Sequence, residues 1–238
     1  MISNRTFMML LDFFVILVLS KSFRNIAANS RKYLLAANDN IGEREIPLDR
    51  EPPLKIALLV EPTPFGYISG YANRFKEMLT FLKKANDEVE ILTPDDSPNP
   101  LAHFLGYKIN TVHGFRFPFY NAVTLSFDVK GKTAEILSRF KPDLLHVSSP
   151  GSLVFPAVFY ARKFNVPLVM SYHTHLPLYA KSYIGLPGAT KFAEFLVRTV
   201  HNRADLTLVT SPQLKEELEA LGVKRVDVWQ KGINYEVR

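Results

Sequence analysis

From residue 54 onward, short continuous apolar runs alternate with segments in which apolar residues return every third or fourth position. That alternation predicts βαβ units around a parallel sheet, an α/β Rossmann-like fold. Residues 54–60 (LKIALLV) form the first predicted strand, apolar enough to be buried on both faces. After a turn over 61–70, Tyr71, Phe75, Met78, Leu79 and Leu82 mark one stripe of an amphipathic helix packed on the sheet. Residues 89–93 predict a second strand, 94–100 a polar loop, and 109–117 a further extended stretch. A helix over 133–140 is expected to stop before Lys141-Pro142, because a residue preceding proline disfavours helical geometry. Strands are then predicted over 143–149, 166–172, 206–210 and 225–229, with helices over 153–164 and 191–203 between them. Ser211 before Pro212 reads as an N-cap with proline at the first helical position, opening a helix that reaches about Leu221-Gly222.

The first fifty residues have a different pattern. Residues 7–19 (FMMLLDFFVILVL) are apolar except for Asp12, and at about 13 residues the run falls short of the roughly 20 that span a bilayer. Its length suits the h-region of a signal peptide. Lys21, Arg24, Arg31 and Lys32 follow, with no acid between Asp12 and Asp39, a composition like that of a transit peptide. Residues 1–37 are therefore expected to be a targeting or signal-anchor segment, and the proline-terminated stretch 38–53 a linker. Signal followed by transit matches the two-part address of plastids bounded by extra membranes, and an uncleaved endomembrane anchor is the alternative.

Composition narrows the function classes. A 47% hydrophobic content over 238 residues supports an ordinary globular core. The net charge of +6 is scattered along the chain, so no nucleic-acid partner is expected, while an anionic lipid or sugar nucleotide remains compatible. The absence of cysteine excludes a disulfide framework, a thiolate metal site and cysteine catalysis.

Candidate chemistry concentrates in residues 167–177 (PLVMSYHTHLP), where a buried-type strand ends in Tyr172, His173, Thr174 and His175. Ligands of open α/β sheets collect beyond the carboxyl ends of the strands. Two histidines two residues apart on an extended segment point the same way, yet no third ligand accompanies them, so no metal is expected. Ser148 and Ser149 end the preceding strand, where hydroxyls bind sugar or phosphate oxygens or else cap local backbone. No GxSxG surrounds them, so neither is read as a nucleophile. Gly66, Ser69 and Gly70 lie between the first strand and its helix, either letting a phosphate approach the helix start or serving the turn itself. Tyr179, Lys181 and Tyr183 pair aromatic rings with a cation, a combination suited to a membrane interface and also to a solvated loop. His146 and Trp229 are read as core, and Asp143 and Asp205 as turn or capping residues at the strand starts.

The succession VEPTPFGYISGYANRF, FKPDLLHVSSPG, PLVMSYHTHLPLY, RADLTLVTSP and WQKGIN resembles the amino-terminal domain of family-4-type GT-B glycosyltransferases. Within that family it is most similar to the plastid branch that transfers sulfoquinovose from UDP-sulfoquinovose to diacylglycerol. The resemblance covers residues 54–238, the acceptor-side domain. The donor-binding carboxyl-terminal domain that the resemblance implies falls outside these residues, so the sequence is expected to be a truncated gene product, a fragment, or one half of an enzyme whose other half is a separate chain. Retaining transfer in this family proceeds by same-face displacement without an obligatory protein nucleophile and without a cofactor, the UDP-sugar being a substrate. The resemblance therefore implies His173 as the catalytic polar contact. Gly66, Ser69, Gly70 and Thr174 would lie near the donor phosphate or sugar. Ser148, Ser149, His175, Tyr179 and Lys181 would lie near the acceptor or cleft, and Arg74, or else Lys181, near a sulfonate. A catalytically incompetent lipid- or membrane-binding domain and a family-4 transferase with another sugar donor stand beside this reading. A hydrolase does not, because no nucleophile, base and acid assemble.

Overall fold

The computed structural model describes residues 52–229 except 67, 118–119, 127, 129 and 185–186, and within that span all side chains but those of 115–117, 120–123 and 183–184. The expected targeting segment and nearly all of the linker lie outside the described residues. In chain order the elements are β1 (Lys55–Leu59), α1 (Gly70–Lys84), β2 (Glu88–Pro94), β3 (His103–Phe104), β4 (Tyr107–Val112), β5 (Phe115–Phe117) and β6 (Tyr120–Leu125). They continue with α2 (Lys132–Phe140), β7 (Leu144–Ser149), α3 (Val154–Phe164), β8 (Leu168–Tyr172), α4 (Leu176–Tyr179), a π-helical turn (Ala180–Ile184), α5 (Ala189–His201), β9 (Leu206–Val209), α6 (Pro212–Ala220) and β10 (Val226–Val228).

Eight strands form one sheet in the order β10-β9-β8-β7-β1-β2-β4-β3, parallel except for β3. The chain grows outward from β1 through β2 to β4, then returns to place β7 on the other side of β1. That reversal makes the carboxyl ends of β1 and β7 a topological switch point, where neighbouring connections diverge and leave a crevice. Alternation along each strand gives the sheet two buried faces. On one, Ile56, Leu58, Val60, Val89, Ile91 and Ile109 pack against Phe75 and Leu79 of α1. On the other, Ala57, Leu59, Leu145, Val147, Leu168 and Met170 meet Ile136, Leu137, Val154, Ala157 and Val200 from α2, α3 and α5.

The amino ends of the strands are tied by a recurring device. Asp87 Oδ1 accepts from Leu54 N–H, Asp143 Oδ2 from Lys55 N–H and Asp205 Oδ2 from Leu168 N–H, each at 2.8 Å. Each aspartate precedes one strand and satisfies the first donors of its neighbour, which leaves the opposite end of the sheet for ligands.

Two parts of the chain differ from the expected pattern. The extended stretch 109–117 is broken at His113-Gly114 into β4 and β5, and β5 turns back antiparallel to β6. Gly114 permits this close approach, since a Cβ there would collide with Thr124 Cγ2 and lie 2.8 Å from Leu125 O. Residues 176–184, where no element is predicted, form α4 and the π-helical turn. Among the described residues no helix is long and apolar enough to cross a membrane.

Candidate active site at the switch point

The α1 face of the sheet carries Ser148 from β7 and Ser171 from β8 side by side in register, with His146 before the former and His173 after the latter. The His173 backbone N–H still donates to Ser149 O at 2.9 Å, so the ladder carries this side chain to the very end of the strand pair. His173 Nε2 lies 2.9 Å from Ser171 Oγ, and His146 Nε2 lies 3.0 Å from the same oxygen. Above them sit Tyr71 and Phe75 of α1 and Trp229 beyond β10, with ring centroids 4.9, 5.2 and 5.8 Å from the His173 ring. Trp229 reaches this place because its N–H continues the sheet to Val209 O at 2.8 Å.

These aromatic walls set the charge state. Burial pushes the His173 imidazole down to about 3, with His146 and Arg74 adding smaller effects in the same direction. Burial alone pushes His146 down to about 4. Both rings are neutral at physiological pH and act as hydrogen-bond donors or acceptors rather than cations. The fixed positive charge comes from Arg74, whose guanidinium stacks 5.3 Å from the Trp229 ring and donates to Trp229 O. No carboxylate among the described residues pairs with it.

The other residues expected at the site fall into separate environments. Ser69 Oγ accepts from Ala72 N–H at 3.0 Å and caps α1. Gly66 and Gly70 do not adopt positive φ, and a Cβ on Gly70 would meet nothing within 4 Å, so the turn itself does not demand glycine at either position. Ser148 Oγ accepts from Glu61 N–H at 2.8 Å and lies 3.3 Å from the Tyr71 hydroxyl, tying β7 to the chain leaving β1. Thr174 is exposed next to His173 and makes no side-chain hydrogen bond among the described residues.

Two expected cleft contacts are engaged elsewhere. Ser149, next along the strand from Ser148, points to the opposite face and meets His201 Nε2 at 3.0 Å. Period-two geometry forces this: adjacent strand residues cannot share a face. His175 Nδ1 accepts from Leu178 N–H at 3.0 Å and caps α4, which leaves Nε2–H to donate to Glu217 at 2.7 Å. His173 and His175 therefore do not point the same way, because the chain leaves the extended conformation between them. Tyr179 and Lys181 are exposed on α4 and the π-helical turn, and the Tyr183 side chain lies outside the described residues.

The sequence reading missed Glu61. It is 1% exposed at the end of β1, and its carboxyl accepts from Ser126 N–H (2.6 Å), Ser152 Oγ (2.9 Å) and Leu153 N–H (2.7 Å). Burial outweighs those hydrogen bonds and pushes its pKa up to about 7. Gly151 passes so close that a Cβ would lie 2.7 Å from Glu61 Oε2. Glu61 thus joins β1, the segment after β6 and the start of α3, with both oxygens occupied. The available signal was an acid placed directly after the apolar run 56–60, where a carboxylate must find buried donors.

The profile of Glycosyltransferase Family 4 matches residues 68–237. The chain is 38% identical over 187 residues to sulfoquinovosyl transferase from Arabidopsis thaliana, an alignment spanning 77% of this chain and 36% of that protein. It is 30% identical over 184 residues to GDP-mannose-dependent alpha-mannosyltransferase from Mycobacterium tuberculosis, spanning 76% and 48%. Among solved structures, sucrose-phosphate synthase from Thermosynechococcus elongatus aligns over 76% of this chain and 49% of its own with a TM-score of 0.54 at 17% identity, a likeness of fold alone. The chain thus spans less than half the length of these proteins.

Proposed function

Because this chain belongs to glycosyltransferase family 4, we propose that it is the acceptor-side domain of a transferase moving sulfoquinovose from UDP-sulfoquinovose to diacylglycerol at a plastid membrane. The observation that carries the sulfonated donor is Arg74, a guanidinium without a carboxylate partner among the described residues, set against the wall of the His173 crevice. A sulfonate needs such a charge-assisted donor. His173 supplies a neutral imidazole whose N–H meets the departing phosphate or the sugar, where negative charge grows in the transition state and a fixed donor acts most strongly. The start of α1, with Gly66, Ser69 and Gly70, faces the diphosphate, and Thr174 supplies a further hydroxyl.

The acceptor approaches over α4, the π-helical turn and α5. Leu178, Tyr179, Phe192 and Phe195 are between 44% and 56% exposed there, with Lys181, Lys191 and Arg198 around them. Apolar rings bordered by cations fit the headgroup boundary of an anionic bilayer. This surface also favours the second reading, a domain that holds lipid without transferring sugar.

The test supplies radiolabelled UDP-sulfoquinovose and diacylglycerol vesicles to the chain, alone and mixed with an extract of its source cells. Label is expected in the lipid phase, and substitution of His173 or Arg74 by alanine removes it. Label entering lipid only from UDP-glucose or GDP-mannose would overturn the donor assignment. Vesicle binding without transfer under every condition would leave the lipid-holding reading.

A further inference from the structure

A serine hydroxyl has one hydrogen and two lone pairs, yet Ser171 Oγ meets two imidazole nitrogens, at 2.9 Å from His173 and 3.0 Å from His146. Both rings are neutral, so each carries one N–H and one bare nitrogen. The hydroxyl can donate to only one of the two Nε2 atoms, and the other Nε2 must then be the protonated one. Which ring takes which part is decided by surroundings.

His146 is 4% exposed, and the rings of Phe75 and Trp229 lie 5.9 and 5.8 Å from its own. Among the described residues Ser171 is its only side-chain hydrogen-bond partner. Were its proton on Nδ1, the N–H of this buried ring would find no acceptor among the described residues, whereas on Nε2 it meets Ser171 Oγ. The proton therefore belongs on Nε2, donating to Ser171 Oγ. Ser171 then turns its own hydrogen to His173 Nε2, and His173 must carry its proton on Nδ1.

We propose that Ser171 is a positioning residue that, backed by His146, locks His173 in the tautomer with Nδ1–H free for a ligand oxygen in the crevice. The chain of donors runs one way, from His146 through Ser171 to His173. Its effect is to make His173 an obligatory donor at its open nitrogen, as an imidazole must be to meet a phosphate or hydroxyl oxygen. Arg74 beside the ring adds to the same end, since a nearby cation disfavours the doubly protonated form. The importance of this tautomer rests on the reading of His173 as the ligand-facing imidazole, but the tautomer itself does not.

Nitrogen NMR of the full chain with isotopically labelled histidine tests the two separately. In the wild type, His173 is expected to show a protonated Nδ1 and a bare Nε2, and His146 the reverse. Ser171→Ala should abolish that fixed assignment at His173, giving exchange between tautomers, and Ser171→Thr, which keeps the hydroxyl, should restore it. In the transfer assay Ser171→Ala should lower kcat about tenfold with KM for diacylglycerol unchanged, the scale of losing an orienting partner behind a histidine. A wild-type His173 protonated on Nε2 overturns the proposal whether or not any variant folds, as does an unchanged tautomer in a folded Ser171→Ala. If the tautomers are as stated but UDP-sulfoquinovose leaves the His173 resonances unmoved under the conditions of the transfer assay, the functional reading fails while the hydrogen-bond chain stands.

Discussion

Two buried histidine networks lie back to back on the same pair of strands, and only one of them is open. On the α5 face, His201 uses both ring nitrogens, Nε2 with Ser149 Oγ at 3.0 Å and Nδ1 with Thr207 Oγ1 at 3.2 Å, under the edge of Tyr172. On the α1 face, His173 uses Nε2 with Ser171 and leaves Nδ1 without a protein partner among the described residues. Burial pushes both imidazoles down to about 3, so the pKa alone does not distinguish them. Hydrogen-bond satisfaction does. A ring with both nitrogens occupied is a tie inside the fold, whereas a ring held at one nitrogen beside a crevice has a hydrogen bond left to give.

The sharpest way to break this contrast is to remove each ring. His201→Ala strands two buried hydroxyls and opens a void, so unfolding in urea should show a loss of about 3 kcal/mol. His173→Ala should cost only about 1 kcal/mol while abolishing transfer. Equal stability losses would mean that both networks are structural.

Glu61 extends the comparison to a carboxyl with every oxygen used, which places it with His201. Glu61→Gln should destabilise by about 2 kcal/mol through disturbed buried hydrogen bonds and leave the histidine tautomers intact. It should also change the pH profile. A carboxyl raised from 4.5 to about 7 contributes stability at low pH that is lost as pH rises through that window, and the variant should lack this loss. The buried histidines act in the opposite sense, contributing above 6.5 and losing that contribution as pH falls toward 3 to 4. Parallel pH profiles of wild type and Glu61→Gln would exclude the raised carboxyl.

Trp229 separates the two networks by location, since it covers His146 and His173 but not His201. Trp229→Ala should admit water to the first pair and raise their titration from about 4 and about 3 toward 6.5, leaving His201 unmoved in an NMR titration. A coordinated shift of all three would show that the faces are not independent.

The smallest expected effect comes from two serines with the same capping geometry. Ser211 caps α6 with φ −156° and ψ 157°, and Ser69 caps α1 with φ −157° and ψ 165°. Either serine changed to alanine should cost about 1 kcal/mol by thermal unfolding. Only Ser69→Ala should also weaken UDP-sugar binding if the start of α1 meets the diphosphate, so Ser211→Ala is its control.

Much of this architecture was legible because it depends on local pattern. The alternation of buried runs and helical stripes, the stop before Pro142 and the Ser211-Pro212 helix start are properties of neighbouring residues, and the observed elements follow them closely. The reversal at Gly114 was not legible, because the need for glycine there arises from a strand that returns across it. The cleft assignment was mixed for a related reason. His173 stands at a strand end, as an apolar run followed by imidazoles suggests, but Ser148 and Ser149 look equivalent in sequence and are parted by the pleat. His175 looks like a second site residue until α4 claims it as a cap. Trp229 and His146, read as core, form the wall and support of the crevice, since each is buried and also touches His173 or its hydrogen-bond partner.

The sequence by itself determined the α/β class, the order of elements and a motif succession specific enough to place the chain in its family, because periodicity, proline and capping act through the local backbone. Tertiary structure alone decided which histidine nitrogens find partners among the described residues, that Glu61 is buried against the start of α3, and that Arg74 and Trp229 meet at the switch point. Those facts depend on groups that are distant in the chain and compete for the same few buried hydrogen bonds. That competition is settled only when the strands lie side by side.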